Sequence, residues 1–180
     1  MTKEELLARL NDIEWNDFEV KEASGGLPKS MWETVSAFSN TEGGVILGIK
    51  EKKTADGSVY VVNGVLNPEQ MELDIITTLR SRTKFNAPVS DKAMRYKIDC
   101  KDILAFEIPL SPHRPVAIKS SGEVYIRTGS GDTLATDLEV DAIVRDASFG
   151  AKSEVQRCKN IGVGVMLGAE NYALATSHSV

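Results

Sequence analysis

Ala37-Phe38-Ser39-Asn40-Thr41-Glu42-Gly43-Gly44-Val45-Ile46-Leu47-Gly48-Ile49 is the stretch on which the fold turns. Met31, Val35 and Phe38 recur at helical spacing just before it, with Trp32, Ser36 and Ser39 alongside. The stretch therefore reads as the end of a helix, a tight polar turn and a buried strand. Asn40 and Thr41 can hydrogen-bond local backbone, so they are expected to cap the helix and shape the turn. Gly43 and Gly44 can take positive φ without a Cβ clash. Val45 to Ile49 is a continuous apolar run of strand length, expected at the centre of a sheet.

Working outward, four capping-box-like starts punctuate the chain. Thr2-x-x-Glu5 opens a short helix with Leu6, Leu7 and Leu10, and Ser30-x-x-Glu33 opens the helix ending at Asn40. Asn67-Pro68 puts proline at a first helical position, before Met71, Ile75, Ile76 and Leu79; this helix is expected to end in Arg80, Arg82 and Lys84. Thr136-x-x-Glu139 opens a last helix. Strands are expected at 18–22, 45–49, 59–62, 95–99, 103–108, 115–119 and 124–127. The turns are read at Asp56-Gly57, Cys100-Lys101-Asp102 and Ser120 to Glu123. The pattern is α+β, a mixed but mostly antiparallel sheet packed with about four helices.

The 180 residues suffice for one domain with a substantial core, and 42% apolar with 26% charged residues is ordinary soluble-protein composition. No run is long enough to span a bilayer, and Met1-Thr2-Lys3-Glu4-Glu5 lacks a signal peptide's apolar core, so a cytoplasmic protein without membrane partners is expected. Cys100 and Cys158 then read as free thiols; neither they nor His113 and His178 have metal-type spacing. The net charge of −5 argues against a plain basic nucleic-acid binder. The charge is uneven, however: residues 80–127 carry ten basic and five acidic side chains, a net of +5, in an otherwise acidic chain. That is a hint of an anion-binding face, against the blander reading of solvated strand faces. Residues 1–150 read as the domain and 151–180 as an extension of unknown role, with an apolar, glycine-rich 161–169 that is no dinucleotide fingerprint.

Four segments in order carry a resemblance. Besides Ala37 to Ile49 they are Phe18-Glu19-Val20-Lys21-Glu22-Ala23, Ser111-Pro112-His113-Arg114-Pro115-Val116 and Tyr125-Ile126-Arg127-Thr128-Gly129-Ser130. Together they resemble the Schlafen/AlbA-like DNA-binding domain of bacterial regulators, over roughly residues 14–147. The resemblance implies an AlbA-like α+β fold, nucleic acid (DNA or RNA) as partner, a transcriptional-regulator-like setting, and a homodimer as a common state. Family members usually continue into further regions, so a fragment or a short member is expected.

Two functional constellations follow. Glu19 and Lys21 share one strand face, with Glu14 five residues earlier. In the Schlafen endoribonucleases the resemblance implies that such a pair joins an acid after the Gly-Gly strand to bind Mg²⁺ or Mn²⁺, hard cations that activate water and stabilise phosphate charge. Glu14, Glu19 and Glu51 would be the metal ligands and catalytic residues here, but Lys50 stands where the pattern wants an acid. The alternative is a solvated Glu14 and a Glu19 paired with Lys21 or an arginine. The second constellation is basic: Lys21, Arg95, Lys97, Lys119 and Arg127, with Ser130 in the Gly129–Gly131 turn, could hold phosphates. Its alternative is a polar turn with Arg127 paired to a carboxylate. Phe85, Tyr96, Phe106 and Tyr125 read as core. The reading adopted is a nucleic-acid-binding, non-enzymatic domain without cofactor, with a metal-dependent endoribonuclease and a dimerisation or interaction module as alternatives.

Overall fold

The computed structural model describes residues 18–54, 57–129 and 131–149. In chain order the elements are β1 (Phe18–Lys21), α1 (Met31–Thr41), β2 (Gly43–Leu47), β3 (Ile49–Thr54) and β4 (Gly57–Val62). Then come α2 (Pro68–Arg80), β5 (Lys92–Ile98), β6 (Lys101–Ile108), β7 (Tyr125–Thr128), β8 (Gly131–Leu134) and a third helix, α3, over 137–149. The class is α+β as expected. Three of the four anticipated helices are present; the one at residues 2–10 lies outside the described residues, as does the 161–169 segment. The chain divides into two units, Met1–Ile143 and Val144–Val180, and the first holds the whole sheet.

The main sheet has strand order β1-β2-β6-β5, with β1 parallel to β2 and the other pairs antiparallel. β2 is central and nearly all buried, because Val45, Ile46 and Leu47 are apolar on both sides. Strand alternation sends Val45, Leu47, Leu104 and Phe106 to one face, where Met31, Val35 and Phe38 of α1 and Ile75 and Leu79 of α2 cover them. Ile46, Ile103 and Ala105 go to the other face with Phe18, against Ile49, Tyr60 and Val62 of the β3–β4 hairpin. Both faces of the sheet are thus roofed, one by helices and one by a hairpin.

Several local expectations are corrected. The apolar run 45–49 is two strands, because Gly48 takes φ +98° and breaks it; its Cβ would lie 2.9 Å from Ile103 Cδ1. Neither Gly43 nor Gly44 supplies positive φ; Glu42 does, at 72°. Gly44 is glycine for space: a Cβ would meet the Phe18 ring at 2.4 Å. The β5–β6 turn is Asp99-Cys100, both at positive φ, one residue earlier than read. The 115–127 hairpin shrinks to a single Ala117↔Val124 bridge, and β7 pairs instead with β8. Ser30 makes no side-chain cap, and α2 stops at Arg80 so that Arg82 and Lys84 follow it. The Thr136/Glu139 capping box does form: each residue's backbone N–H donates to the other's side chain, at 2.8 and 3.4 Å. The carboxylate of Glu139 is accordingly held below its usual range, chiefly by the Thr136 backbone N–H.

Asn40 was expected to cap its own helix. It is buried and reaches across the fold instead. Its amide Nδ2 donates to Val116 O (3.1 Å) and Tyr125 O (3.0 Å), and its Oδ1 accepts from Val116 N (2.8 Å). It thereby ties α1 to the segment leading into β7.

Candidate functional site

The most connected polar cluster lies between β1, α1 and the β7–β8 hairpin. Arg127 Nη1 donates to Glu19 Oε2 and to Asp132 Oδ1, both at 2.9 Å. Asp132 faces Arg127 in the β7–β8 register, and its other oxygen accepts from the Thr34 hydroxyl of α1. Glu19 also meets Lys21 Nζ at 3.5 Å, and Lys21 Nζ donates to Ser30 Oγ at 3.2 Å. The Arg127 guanidinium stacks over Phe38, 5.3 Å from the ring centroid. Only 6% of its side chain is exposed. Its Nε is buried and has no partner among the described residues. Two cations and two anions balance here, so the cluster is an ion-paired tie holding three elements together.

Glu51 lies directly opposite Tyr60 in the β3–β4 register. The Tyr60 phenol titrates above its usual value, first because it is buried, then because the Glu51 and Glu19 carboxylates are close by. Lys50 does not compete for the place opposite Tyr60: alternation turns it to the other face of the hairpin, where it pairs with Glu22 at 2.7 Å. That hydrogen bond is the largest cause holding the Glu22 carboxyl below its usual range. Glu14 lies outside the described residues, and no group of three or more metal-ligating side chains occurs among those described.

The basic residues fall in separate places. Lys21 and Arg95 lie on one row across the same sheet face, through Leu47 and Leu104, but at opposite edges. The helices roof that row. Arg95 is bound to Glu72 (2.7 Å) and Glu69 (3.4 Å) of α2. Lys97 is exposed near the end of β5. Ser130 is outside the described residues; the Gly129 beside it, at φ +60°, turns the chain from β7 to β8. Lys119 has different company. Its Nζ donates to Arg82 O and its backbone N to Lys84 O, both at 2.9 Å. Lys84 Nζ in turn stands 5.7 Å from the Trp32 ring centroid.

Charge pairing sorts these groups. Lys21, Lys50, Lys92, Arg95 and Arg127 each carry a carboxylate partner. Arg82, Lys84 and Lys119 form no ion pair with a described residue. Lys119 is tied to the backbone carbonyls of the other two, so the three basic residues adjoin where the chain leaving α2 meets the 115–119 segment. Tyr60, Asp132, Thr34 and Trp32 were missed as members of these sites. Asp132 could have been suspected from its place five residues after Arg127, across a Gly-rich turn. Tyr60 and Trp32 give no signal without the fold. Phe85 and Phe106 are core, as read.

The sequence profile of the Schlafen, AlbA_2 family matches residues 14–136. No curated protein sequence matches the chain. Among solved structures, the N-terminal domain of a RecG-related protein from Nitrosomonas europaea, described as related to an ATP-dependent DNA helicase, superposes with TM-score 0.57 at 24% identity, covering 73% of this chain and 92% of that one. A protein from Corynebacterium diphtheriae superposes with TM-score 0.50 at 17% identity, covering 73% of this chain and 28% of that one. At these identities the likeness is one of fold. No helix among the described residues is long and apolar enough to cross a membrane.

Proposed function

The chain belongs to the Schlafen, AlbA_2 family, and on that premise we propose that it is a nucleic-acid-binding domain of a bacterial regulator-like protein acting in transcription or a related DNA transaction. The carrying observation is that Arg82, Lys84 and Lys119 adjoin and that none of them has a carboxylate partner among the described residues, within a chain of net charge −5. A polyanion gains most where cations lack carboxylate partners, since no existing pair must be broken first. Arg127 and Arg95 sit in ion pairs that would have to open before they met a phosphate. They are therefore assigned to the scaffold, and phosphate contact to Arg82, Lys84 and Lys119, with Lys97 as an outlying contact. Gel-shift titration at low salt tests the reading: wild type binds, and K84E/K119E binds at least about tenfold more weakly, two phosphate contacts being lost. Wild type failing to shift DNA or RNA would refute it.

A second reading has its own observation: Glu51 stands opposite Tyr60 in the β3–β4 register. Glu51 and Glu19 with a third acid could hold Mg²⁺ or Mn²⁺ and cleave RNA. Incubation with tRNA and Mn²⁺ decides it. Cleavage by wild type that E19Q and E51Q abolish supports the nuclease; no cleavage, or equal cleavage by both variants, removes it.

A further inference from the structure

Trp32 is the second residue of α1 and is only half-buried. One side of its ring is explained by packing: it meets the fully buried Phe85 edge-on, centroids 6.1 Å apart at 69°. The ring also packs against the main core cluster, and the Lys84 ammonium stands over it, 5.7 Å from the centroid. The backbone beneath is locked. Phe85 bridges Ile118, Asn86 N donates to Ala117 O (3.1 Å), and the Asn86 side chain accepts from Ala117 N (2.9 Å) and donates to Pro115 O (2.9 Å). Lys119 is fastened to Arg82 and Lys84 by the two bonds already described. A partly buried indole under a lysine without a carboxylate partner, whose backbone is tied to Lys119, occurs nowhere else among the described residues.

We propose that Trp32 is a stacking platform for a base of single-stranded nucleic acid, whose neighbouring phosphates are held by Arg82, Lys84 and Lys119. The inference rests on the nucleic-acid reading above and deepens it. A phosphate pairing with Lys84 draws the ammonium off the indole and leaves an aromatic face, pre-set by Phe85, for an unstacked base. Every base has such a face, so the site tolerates any sequence. In a duplex the faces are occupied by neighbouring pairs, so Trp32 has nothing to take up, and the three basic residues alone give weaker, purely electrostatic binding.

Fluorescence anisotropy with short labelled oligo-dT, oligo-U and the matching duplex tests this on the full chain. Wild type binds the single strands more tightly than the duplex. W32A weakens single-strand binding about tenfold and duplex binding no more than about twofold, and W32F, which keeps an aromatic face, recovers most of the loss. The chain has two tryptophans, Trp15 and Trp32, so in W15F the single strand quenches Trp32 emission saturably. That measurement decides the matter if W32A fails to fold. Strand binding with unchanged Trp32 emission, or a folded W32A that binds the strands as tightly as wild type, overturns the stacking role and leaves the nucleic-acid reading standing. No binding of any oligonucleotide by wild type overturns both. The dT and U arms separate DNA from RNA as the source of the strand.

Discussion

Replacing Arg127 with methionine removes the cation that two carboxylates share, 2.9 Å from each. Breaking a buried ion pair by deleting one partner costs about 3–5 kcal/mol, because the remaining charge is left uncompensated. Two features place Arg127→Met at the low end. Glu19 keeps 27% of its side chain exposed and retains Lys21, so water and that lysine absorb part of its loss. The arginine's own Nε is buried without a partner among the described residues, and its removal recovers some desolvation. Asp132, 12% exposed, bears most of the cost. A loss of about 3 kcal/mol corresponds to a fall in Tm of about 6–12 °C for a chain of this size. Thermal and urea unfolding of R127M measure it. Adding D132N to R127M removes the stranded charge and should recover part of the stability, although D132N alone destabilises. Well below its Tm, R127M should bind nucleic acid within about twofold of wild type, as Arg82, Lys84 and Lys119 are untouched. A Tm within about 2 °C of wild type, or a folded R127M that no longer binds, would refute the assignment of Arg127 to the scaffold.

Gly44→Ala should lower stability by about 1–3 kcal/mol by driving a methyl into the Phe18 ring, and F18L should relieve part of that loss in urea unfolding of the double variant. Asn40→Ala removes three hydrogen bonds and strands the Val116 N–H, an expected cost of about 2–4 kcal/mol by the same assay. Asp91 titrates above its usual range, chiefly through burial, with Arg80 opposing and Glu72 adding to the shift. A carboxyl raised in the fold holds its proton more tightly there than in the unfolded chain, so its contribution is fully present below the unfolded value and is lost as pH rises through the folded one. D91N should therefore raise Tm at pH 7, with the gain fading as the melts are taken down towards pH 3.

Much of the fold is legible along the chain where the physics is local. The 31–41 helix follows from Met31, Val35 and Phe38 at helical spacing, and the central strand from Val45 to Leu47 being apolar on both sides. The Thr136/Glu139 capping box is local too and forms as read. Features set by partners far along the chain are not legible. Gly48 looks like one more small residue in an apolar run, and neither its φ of +98° nor the Ile103 side chain packed against it, which leaves no room for a Cβ, can be read from the sequence. Asn40 looks like a cap because its partners, Val116 and Tyr125, lie more than seventy residues away. Asp132 is Arg127's partner across the β7–β8 register, a pairing that only the hairpin reveals. No periodicity marks Arg82, Lys84 and Lys119 as neighbours, because the contacts that join them run between the chain leaving α2 and a segment some thirty-five residues further on.

The slope of log binding constant against log salt concentration tests the central claim most directly. Each phosphate contact contributes about 0.7 to that slope for a single strand, so R82Q/K84Q/K119Q should flatten it by about 2 relative to wild type and weaken binding at low salt by more than about tenfold. An unchanged slope in a folded triple variant would place the phosphate contacts elsewhere on the protein and contradict the account.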